Sequence, residues 1–206
     1  MKRRVSIDNV HYLLLDWNEI DKMVDKLDKR VREKPYNPNL IVGVLRGGAI
    51  VASLLSDRLG MHNIRTVGAR VYQRTGEIGD KVDIYQHIAM NDLGGFDVLV
   101  VEDVVDTGTT CTTILEEQIY PKKPRNLCVA SLHIKPWTKY KPDIYLEETD
   151  FWIWYPWELY ETGRDIYVDL LKKHDPQTAK NILIEKFKLD PKIVERVIKS
   201  VKISTL

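Results

Sequence analysis

Acidic and hydroxyl side chains are concentrated between residues 102 and 110. Two adjacent carboxylates, Glu102 and Asp103, are followed after two apolar residues by Asp106-Thr107-Gly108-Thr109-Thr110. The small residues of this last segment allow backbone N–H groups to converge on an anion, and the threonine hydroxyls add donors. The carboxylates offer the anionic oxygens that a sugar diol or a hard cation requires. The spacing therefore predicts a phosphate-binding loop beside a carboxylate pair.

A buried strand and a helix are predicted on either side of this loop. Residues 98–101 are all apolar, which is typical of a strand buried on both faces of a parallel sheet. A helical pattern then covers residues 111–119. A loop between a strand and a helix start presents backbone donors and the positive end of the helix to an anion. The flanking elements thus favour a phosphate site at residues 106–110.

A second strand, loop and helix with the same plan occur earlier in the chain. Residues 40–45 form an apolar run that ends at Arg46-Gly47-Gly48, and a helix is predicted from Ala49 to Leu59, closed by Gly60. A basic residue and paired glycines before a helix again indicate an anion site. Such glycines also occur where a helix only packs tightly on its strand.

The remaining segments predict a doubly wound α/β fold. Asp16 and Glu19 have the spacing of a capping box that starts a helix reaching Val31. Further strands are predicted at 64–72 and 126–134, separated by helical segments. Ligands of such sheets bind beyond the carboxyl ends of the strands, where both candidate loops lie.

Composition limits the class of protein. The 206 residues carry 31 basic and 30 acidic side chains, which gives no sign of a nucleic-acid-binding tract. The two cysteines, Cys111 and Cys128, lack metal-type spacing and indicate a reducing compartment. Neither a signal peptide nor a membrane-spanning run is present in the sequence. We therefore expect a cytoplasmic protein that binds neither nucleic acid nor membrane.

An aromatic segment follows Lys135-Pro136 and runs from Phe151 to Trp157. Three tryptophans fall within residues 152–157, more than a small core usually needs. A planar ligand that stacks on one of these rings is the preferred interpretation. Any single ring could instead belong to a hydrophobic core or a dimer interface.

Residues 98–110, VLVVEDVVDTGTT, resemble the phosphoribosyl diphosphate (PRPP) signature of type I phosphoribosyltransferases. The resemblance implies an α/β fold with a parallel sheet flanked by helices. The segment LRGG at 45–48 is similar to the family's pyrophosphate loop, whose peptide before the basic residue is often cis. Since PRPP carries phosphate at both ends, the resemblance accounts for two anion sites. An acidic turn that binds nothing is the alternative.

The same resemblance implies a role for each residue of the two loops. Asp106 would exchange a proton with N7 of a purine, and Glu102 and Asp103 would hold the ribose hydroxyls directly or through Mg²⁺. The 5-phosphate would contact Asp106, Thr107, Gly108, Thr109 and Thr110. Pyrophosphate would contact Leu45, Arg46, Gly47 and Arg164.

The aromatic segment resembles the base-binding hood of purine phosphoribosyltransferases, more closely the 6-oxopurine branch. Lys135 would donate to the exocyclic oxygen of the purine, and Trp152 would stack on the base. Ile153 would read the base edge through its backbone, while Val104 would pack on the opposite face. Glu158, six residues after Trp152, would bind a second Mg²⁺.

The resemblance also predicts the domain organisation. A phosphoribosyltransferase domain would cover residues 1–158, with a hood at 135–158 and a mobile flap at about 73–95, where a plain surface hairpin is the alternative. Tyr72 and Arg74 are the flap residues expected to reach the site. The tail departs from the family pattern: apolar spacing and capping residues predict a three-helix bundle at 159–206, whose second and third helices start at Asp175-Pro176 and Asp190-Pro191.

Three functions are compatible with these residues. The helical tail resembles that of crenarchaeal adenine phosphoribosyltransferases and favours conversion of adenine and PRPP to AMP and pyrophosphate. Lys135 favours a 6-oxopurine instead, since a lysine donates hydrogen bonds and never accepts them. A non-catalytic PRPP sensor is the third possibility. For either enzyme, Mg²⁺ would be the cofactor, a nucleoside monophosphate and pyrophosphate the products, and a homodimer the expected assembly.

Overall fold

The computed structural model describes residues 2–72 and 81–204. In chain order the elements are β1 (Arg3–Ile7), β2 (Val10–Leu14), α1 (Trp17–Arg32), β3 (Leu40–Leu45), α2 (Gly47–Leu59), β4 (Ile64–Tyr72), β5 (Lys81–Gln86), β6 (Asp97–Val105), α3 (Thr109–Ile114), β7 (Asn126–Ile134), β8 (Ile144–Glu148), β9 (Trp152–Trp154), α4 (Leu159–Leu171), α5 (Pro176–Glu185) and α6 (Pro191–Ser204).

Two compact units divide the chain. The central unit is Ile20–Asp150, and the terminal unit combines Met1–Glu19 with Phe151–Leu206. Residues 151–158 of the predicted hood are thus grouped with the C-terminal helices and the N-terminal strands. The domain boundary at residue 158 stays a prediction.

A six-stranded sheet forms the central unit, in the order β5-β4-β3-β6-β7-β8. Strands β4, β3, β6, β7 and β8 are parallel to one another. Strand β5 lies at the edge beside β4 and is antiparallel to it. Residues 98–101 are fully buried, as a strand covered on both faces requires. Helices flank the sheet, and the predicted α/β fold is confirmed.

Strand β6 extends further than the apolar run that predicted it. It reaches Val105, so Glu102 and Asp103 lie within the strand and not on a turn after it. The register with β7 continues over the acidic pair, with Glu102 opposite Ser131 and Val104 opposite His133. Neighbouring strands therefore keep this part of the backbone extended, although carboxylates are poor strand formers.

The helix boundaries follow the capping signals closely. The Glu19 N–H donates to Oδ1 of Asp16 over 2.9 Å, which confirms the predicted start of α1. Helix α2 starts at Gly47, two residues before the predicted start, and ends at Leu59 with Gly60 as its C-cap, as predicted. The helix predicted over 111–119 is shorter than expected, because α3 ends at Ile114 and a π-helical turn, Leu115–Ile119, follows.

The terminal unit contains a small sheet that the sequence analysis did not predict. Strands β1 and β2 form a hairpin, and β9 adds in parallel to β2. The hairpin loop is Asp8-Asn9, whose φ angles of 49° and 68° are those of a type I′ turn. An Asp-Asn pair between two alternating segments is a signal that could have predicted it.

Three helices complete the terminal unit, as predicted. The Asp175 carboxylate accepts from the backbone N–H groups of Gln177 and Thr178, and Asp190 accepts from that of Lys192. Phe187 is almost fully buried, with its ring 5.3 Å from those of both Tyr12 and Trp154. The helices thus share one core with the small sheet. None of the described helices is both long enough and apolar enough to cross a membrane.

Candidate active site

The two predicted anion loops follow neighbouring strands. Gly43 of β3 lies opposite Val101 of β6 in a parallel pair, so both strands end on the same edge of the sheet. A Cβ atom at Gly48 would lie 2.4 Å from the carbonyl oxygen of Val101 and 3.0 Å from Cα of Glu102. Only glycine allows the first turn of α2 to press against the carboxylate pair. The structure thus brings together two motifs that are more than fifty residues apart.

The peptide between Leu45 and Arg46 is cis, as the resemblance implied. Gly47 and Gly48 are buried directly after it, whereas Arg46 is exposed to solvent. The loop therefore combines a close approach of backbone to its neighbour strand with a guanidinium group that is accessible to an anion.

Burial sets the electrostatics of the carboxylate pair. Glu102 is 7% exposed and Asp103 is also buried. Burial raises the pKa of the Glu102 carboxyl well above its usual range, and the neighbouring charge of Asp103 raises it further. A cation or a hydrogen-bond donor at this position would favour the ionised form. A ligand that supplies positive charge or hydroxyl donors would therefore stabilise the ionised form of Glu102 and Asp103.

The phosphate loop has an open side and an anchored side. Asp106 and Thr107 are exposed, and the hydroxyls of Thr107 and Thr109 lie 3.0 Å apart. Gly108 has a φ of +88°, and a Cβ there would lie 2.7 Å from the backbone nitrogen of Tyr140. Both the backbone angle and the close approach require glycine. Asp106 and Thr107 thus face solvent, while Gly108 packs against the segment after β7.

Lys135 lies at the end of β7, beside the phosphate loop. Its backbone N–H donates to the carbonyl of Val105 over 3.0 Å, and its side chain is only 6% exposed. Burial lowers the pKa of the Lys135 ammonium, against the opposing influence of the carboxylates of Asp106 and Asp150. Val104, predicted to pack on the base, is half-buried near the end of β6. All of these residues belong to the central unit.

The terminal unit holds the other predicted site residues. Trp152 is 55% exposed, whereas Trp154 is buried in the core and Trp157 stacks on Tyr155 with ring centroids 4.6 Å apart. Of the three tryptophans, Trp152 alone is therefore available to stack on a planar ligand.

Strand β9 forms the edge of its sheet. The carbonyl of Trp154 accepts from the N–H of Leu15, beyond the end of β2. In a parallel sheet, successive residues direct their backbone N–H and C=O groups to opposite sides of the strand. Since those of Trp154 face β2, those of Ile153 point away from it. This orientation suits the predicted contact between the backbone of Ile153 and the edge of the base.

Glu158 and Arg164 are half-buried, at the start of α4 and within it. Their approach to the central loops stays a prediction.

Residues 14–162 match the model of the phosphoribosyl transferase domain. The chain belongs to this family. A xanthine-guanine phosphoribosyltransferase of Gluconobacter oxydans (strain 621H) is 30% identical over 154 residues, which cover 72% of this chain and 86% of that protein.

Two solved structures place this phosphoribosyltransferase in the purine branch. A purine phosphoribosyltransferase from Pyrococcus horikoshii Ot3 has a TM-score of 0.64 and 36% identity, covering 71% of this chain and 93% of that one. The Helicobacter pylori xanthine-guanine-hypoxanthine phosphoribosyltransferase has a TM-score of 0.60 and 26% identity, covering 80% of this chain and all of that one.

The carboxylate pair of this phosphoribosyltransferase fits the way in which proteins hold Mg²⁺ beside a phosphorylated substrate. Such ions keep several waters and bind one or two carboxylates together with substrate phosphates. Glu102 and Asp103 supply two carboxylates, and no cluster of three or more His, Cys, Asp or Glu side chains suited to a metal occurs among the described residues. An ion here would take its other ligands from PRPP and water.

The sequence analysis did not name Trp137, which contacts the predicted site residue Asp106. Its indole N–H donates to Oδ1 of Asp106 over 2.7 Å, although the residue is 53% exposed. A tryptophan two positions after Lys135, in a loop expected near a ligand, was the available signal.

The predicted flap is only partly described. Residues 73–80, which include Arg74, and the side chain of Tyr72 lie outside the described residues. Strand β5 pairs antiparallel with β4, so the two described strands that border residues 73–80 belong to one sheet. Closure of a flap over the site stays a prediction.

Proposed function

We propose that this enzyme is a 6-oxopurine phosphoribosyltransferase, which converts hypoxanthine, guanine or xanthine and PRPP to the nucleoside monophosphate and pyrophosphate. The buried ammonium of Lys135 carries this proposal. It can donate a hydrogen bond to an exocyclic oxygen but cannot accept one from the exocyclic amine of adenine. Adenine would offer the ammonium no acceptor at this position, whereas a 6-oxopurine offers O6.

The names of the relatives support the same substrate class. The Gluconobacter and Helicobacter proteins are both named for xanthine and guanine. The preference for adenine depended on the helical tail, whereas Lys135 belongs to the central unit that carries both anion loops. We therefore favour the 6-oxopurine alternative over adenine.

The loops suggest a division of labour during the reaction. Residues 106–110 would hold the 5-phosphate and so fix the ribose for in-line attack. As the N9–C1′ bond forms and the bond from C1′ to pyrophosphate breaks, the proton on N7 would pass to the Asp106 carboxylate. Arg46 and the backbone of its loop would stabilise the departing pyrophosphate. When bound by Glu102, Asp103 and, at a second position, Glu158, Mg²⁺ would neutralise charge on the diphosphate.

Replacement of Lys135 by methionine tests the substrate class. We expect Lys135→Met to lower kcat/KM for hypoxanthine by about 100-fold, the effect of a lost hydrogen bond from a charged group, and to change the low value for adenine little. Lys139→Met is the matched control, since Lys139 is an exposed lysine of the same loop. Equal losses for both bases would contradict a role in reading the 6-oxo group.

A further inference from the structure

Trp137 contacts both polar groups that would face the purine. Its indole N–H donates to Oδ1 of Asp106 over 2.7 Å. The Nζ atom of Lys135 lies 5.4 Å from the centroid of the same ring, within the range of a cation–π contact. One side chain thus connects the carboxylate expected at N7 with the ammonium expected at the 6-oxo group.

The loop that carries Trp137 is fixed at both of its ends. The N–H of Lys135 donates to Val105, and the N–H of Lys139 donates to Thr107, each over 3.0 Å. The N–H of Thr138 also closes a turn onto the carbonyl of Lys135 over 3.0 Å. These bonds join the loop to the backbone on each side of Asp106. The backbone that carries the indole is therefore fixed, and the indole itself is held by its bond to Asp106, although Trp137 is 53% exposed.

Hydrogen bonding to one oxygen of Asp106 orients the carboxylate. With Oδ1 accepting from the indole, the second oxygen is left for a ligand. In a 6-oxopurine, O6 and N7 lie on the same edge of the ring. A lysine for O6 and a carboxylate for N7 must therefore be held at a fixed separation, and the ring of Trp137 contacts both of them.

We propose that Trp137 is a positioning residue, which orients the Asp106 carboxylate toward N7 and supports the Lys135 ammonium toward O6. This inference rests on the proposed function. Its Asp106 half does not depend on which purine is preferred, because every purine base has N7. The two proposals can therefore fail separately.

The test combines Trp137→Phe, which keeps a ring and removes the N–H donor, with Asp106→Ala. In single-turnover measurements with the base that the wild type uses best, we expect Trp137→Phe to lower the rate about tenfold. The KM for PRPP should stay within about twofold, since the phosphate loop is unchanged. In the Asp106→Ala background, Trp137→Phe should have no further effect, because the two residues act as one unit.

Trp17→Phe is the matched control, because Trp17 is another exposed tryptophan and lies outside the loop. It should leave the single-turnover rate unchanged. An unchanged rate in Trp137→Phe would overturn the proposal. So would a tenfold loss that persists in the Asp106→Ala background, since Trp137 would then act independently of Asp106. Base preference is read separately, from the wild type, and its outcome does not alter this comparison.

Discussion

At the scale of single residues, the carboxylate of Glu102 is held in an environment that disfavours its charge. Its side chain is buried beside Asp103, and its Oε2 faces the first turn of α2 near Gly48. The raised pKa follows from this burial. Without a ligand, the Glu102 carboxyl must therefore either be protonated or remain as a buried charge. The protonated form binds a cation less well, so cation binding should weaken at acidic pH.

Replacement of Glu102 by glutamine should change how stability depends on pH. Because the folded-state pKa is raised, the folded chain holds an extra proton above pH 4.5, the ordinary value. The free energy of unfolding of the wild type should then fall as pH rises through the folded-state pKa. Glu102→Gln removes this decline, so the free energy of unfolding of the variant minus that of the wild type should increase with pH.

Urea denaturation without Mg²⁺ or PRPP, from pH 4 to pH 9, measures this difference. Asp103→Asn is a useful comparison, since it removes the neighbouring charge and should weaken the decline without abolishing it. Parallel curves for the wild type and Glu102→Gln would show that the buried carboxyl does not titrate as proposed.

Local spacing was sufficient to predict two loops that each follow a buried strand, whereas the cis peptide after Leu45 was expected only from the family resemblance. Trp137 was not predictable in the same way. Its bond to Asp106 depends on the register between β6 and β7 and on the loop contacts that follow from it. The segment 135–140 thus signals a tryptophan near the expected ligand, but it does not indicate that the indole bonds to Asp106.

At the scale of elements, capping residues predicted helix starts more reliably than apolar patterns predicted strand ends. Asp16, Asp175 and Asp190 all accept hydrogen bonds from the first turns of their helices. Strand β6, by contrast, continues through an acidic pair because its neighbours supply ladder partners. The small sheet was missed because its three strands are short and one of them, β9, lies far from the others in sequence.

Asp175 should stabilise α5 through its hydrogen bonds and its charge. The Thr178 hydroxyl and the backbone N–H groups of Thr178 and Gln177 donate to the carboxylate and lower its pKa. Because the folded-state pKa is depressed, this stabilisation is present above the ordinary value of 3.8 and is lost as pH falls through the folded-state pKa.

Thermal unfolding of Asp175→Ala and Asp175→Asn separates these contributions. Asparagine keeps an acceptor at the cap position, so at pH 7 the Tm should fall in the order wild type, Asp175→Asn, Asp175→Ala. The wild type and Asp175→Asn should converge at acidic pH. Identical Tm values for all three proteins at pH 7 would contradict a stabilising cap.

At the scale of the whole molecule, one compact unit combines the two ends of the chain. The aromatic core of Tyr12, Trp154 and Phe187 connects the first strands, the hood strand and the C-terminal helices. Sequence order suggested a separate tail, because contacts between the two ends of a chain leave no local pattern. The homodimer and the cytoplasmic location stay predictions.

The tail and the lysine after β7 favour different substrates. Its three helices were correctly predicted, but the resemblance that they carried favoured adenine. The buried Lys135 and the names of the relatives favour a 6-oxopurine. A side chain that would meet the base is the better guide, because specificity depends on the hydrogen bonds that the wrong substrate leaves unmade.

The most direct test is to incubate the enzyme with PRPP, Mg²⁺ and each of adenine, hypoxanthine, guanine and xanthine, and to identify the nucleotide formed. We expect IMP, GMP or XMP and pyrophosphate, at a kcat/KM about 100-fold above that for adenine, and no product when Mg²⁺ is omitted. AMP as the main product would contradict the assignment of Lys135 to a 6-oxo group. Binding of PRPP without any product from the four bases would indicate a PRPP sensor and contradict the proposed enzyme.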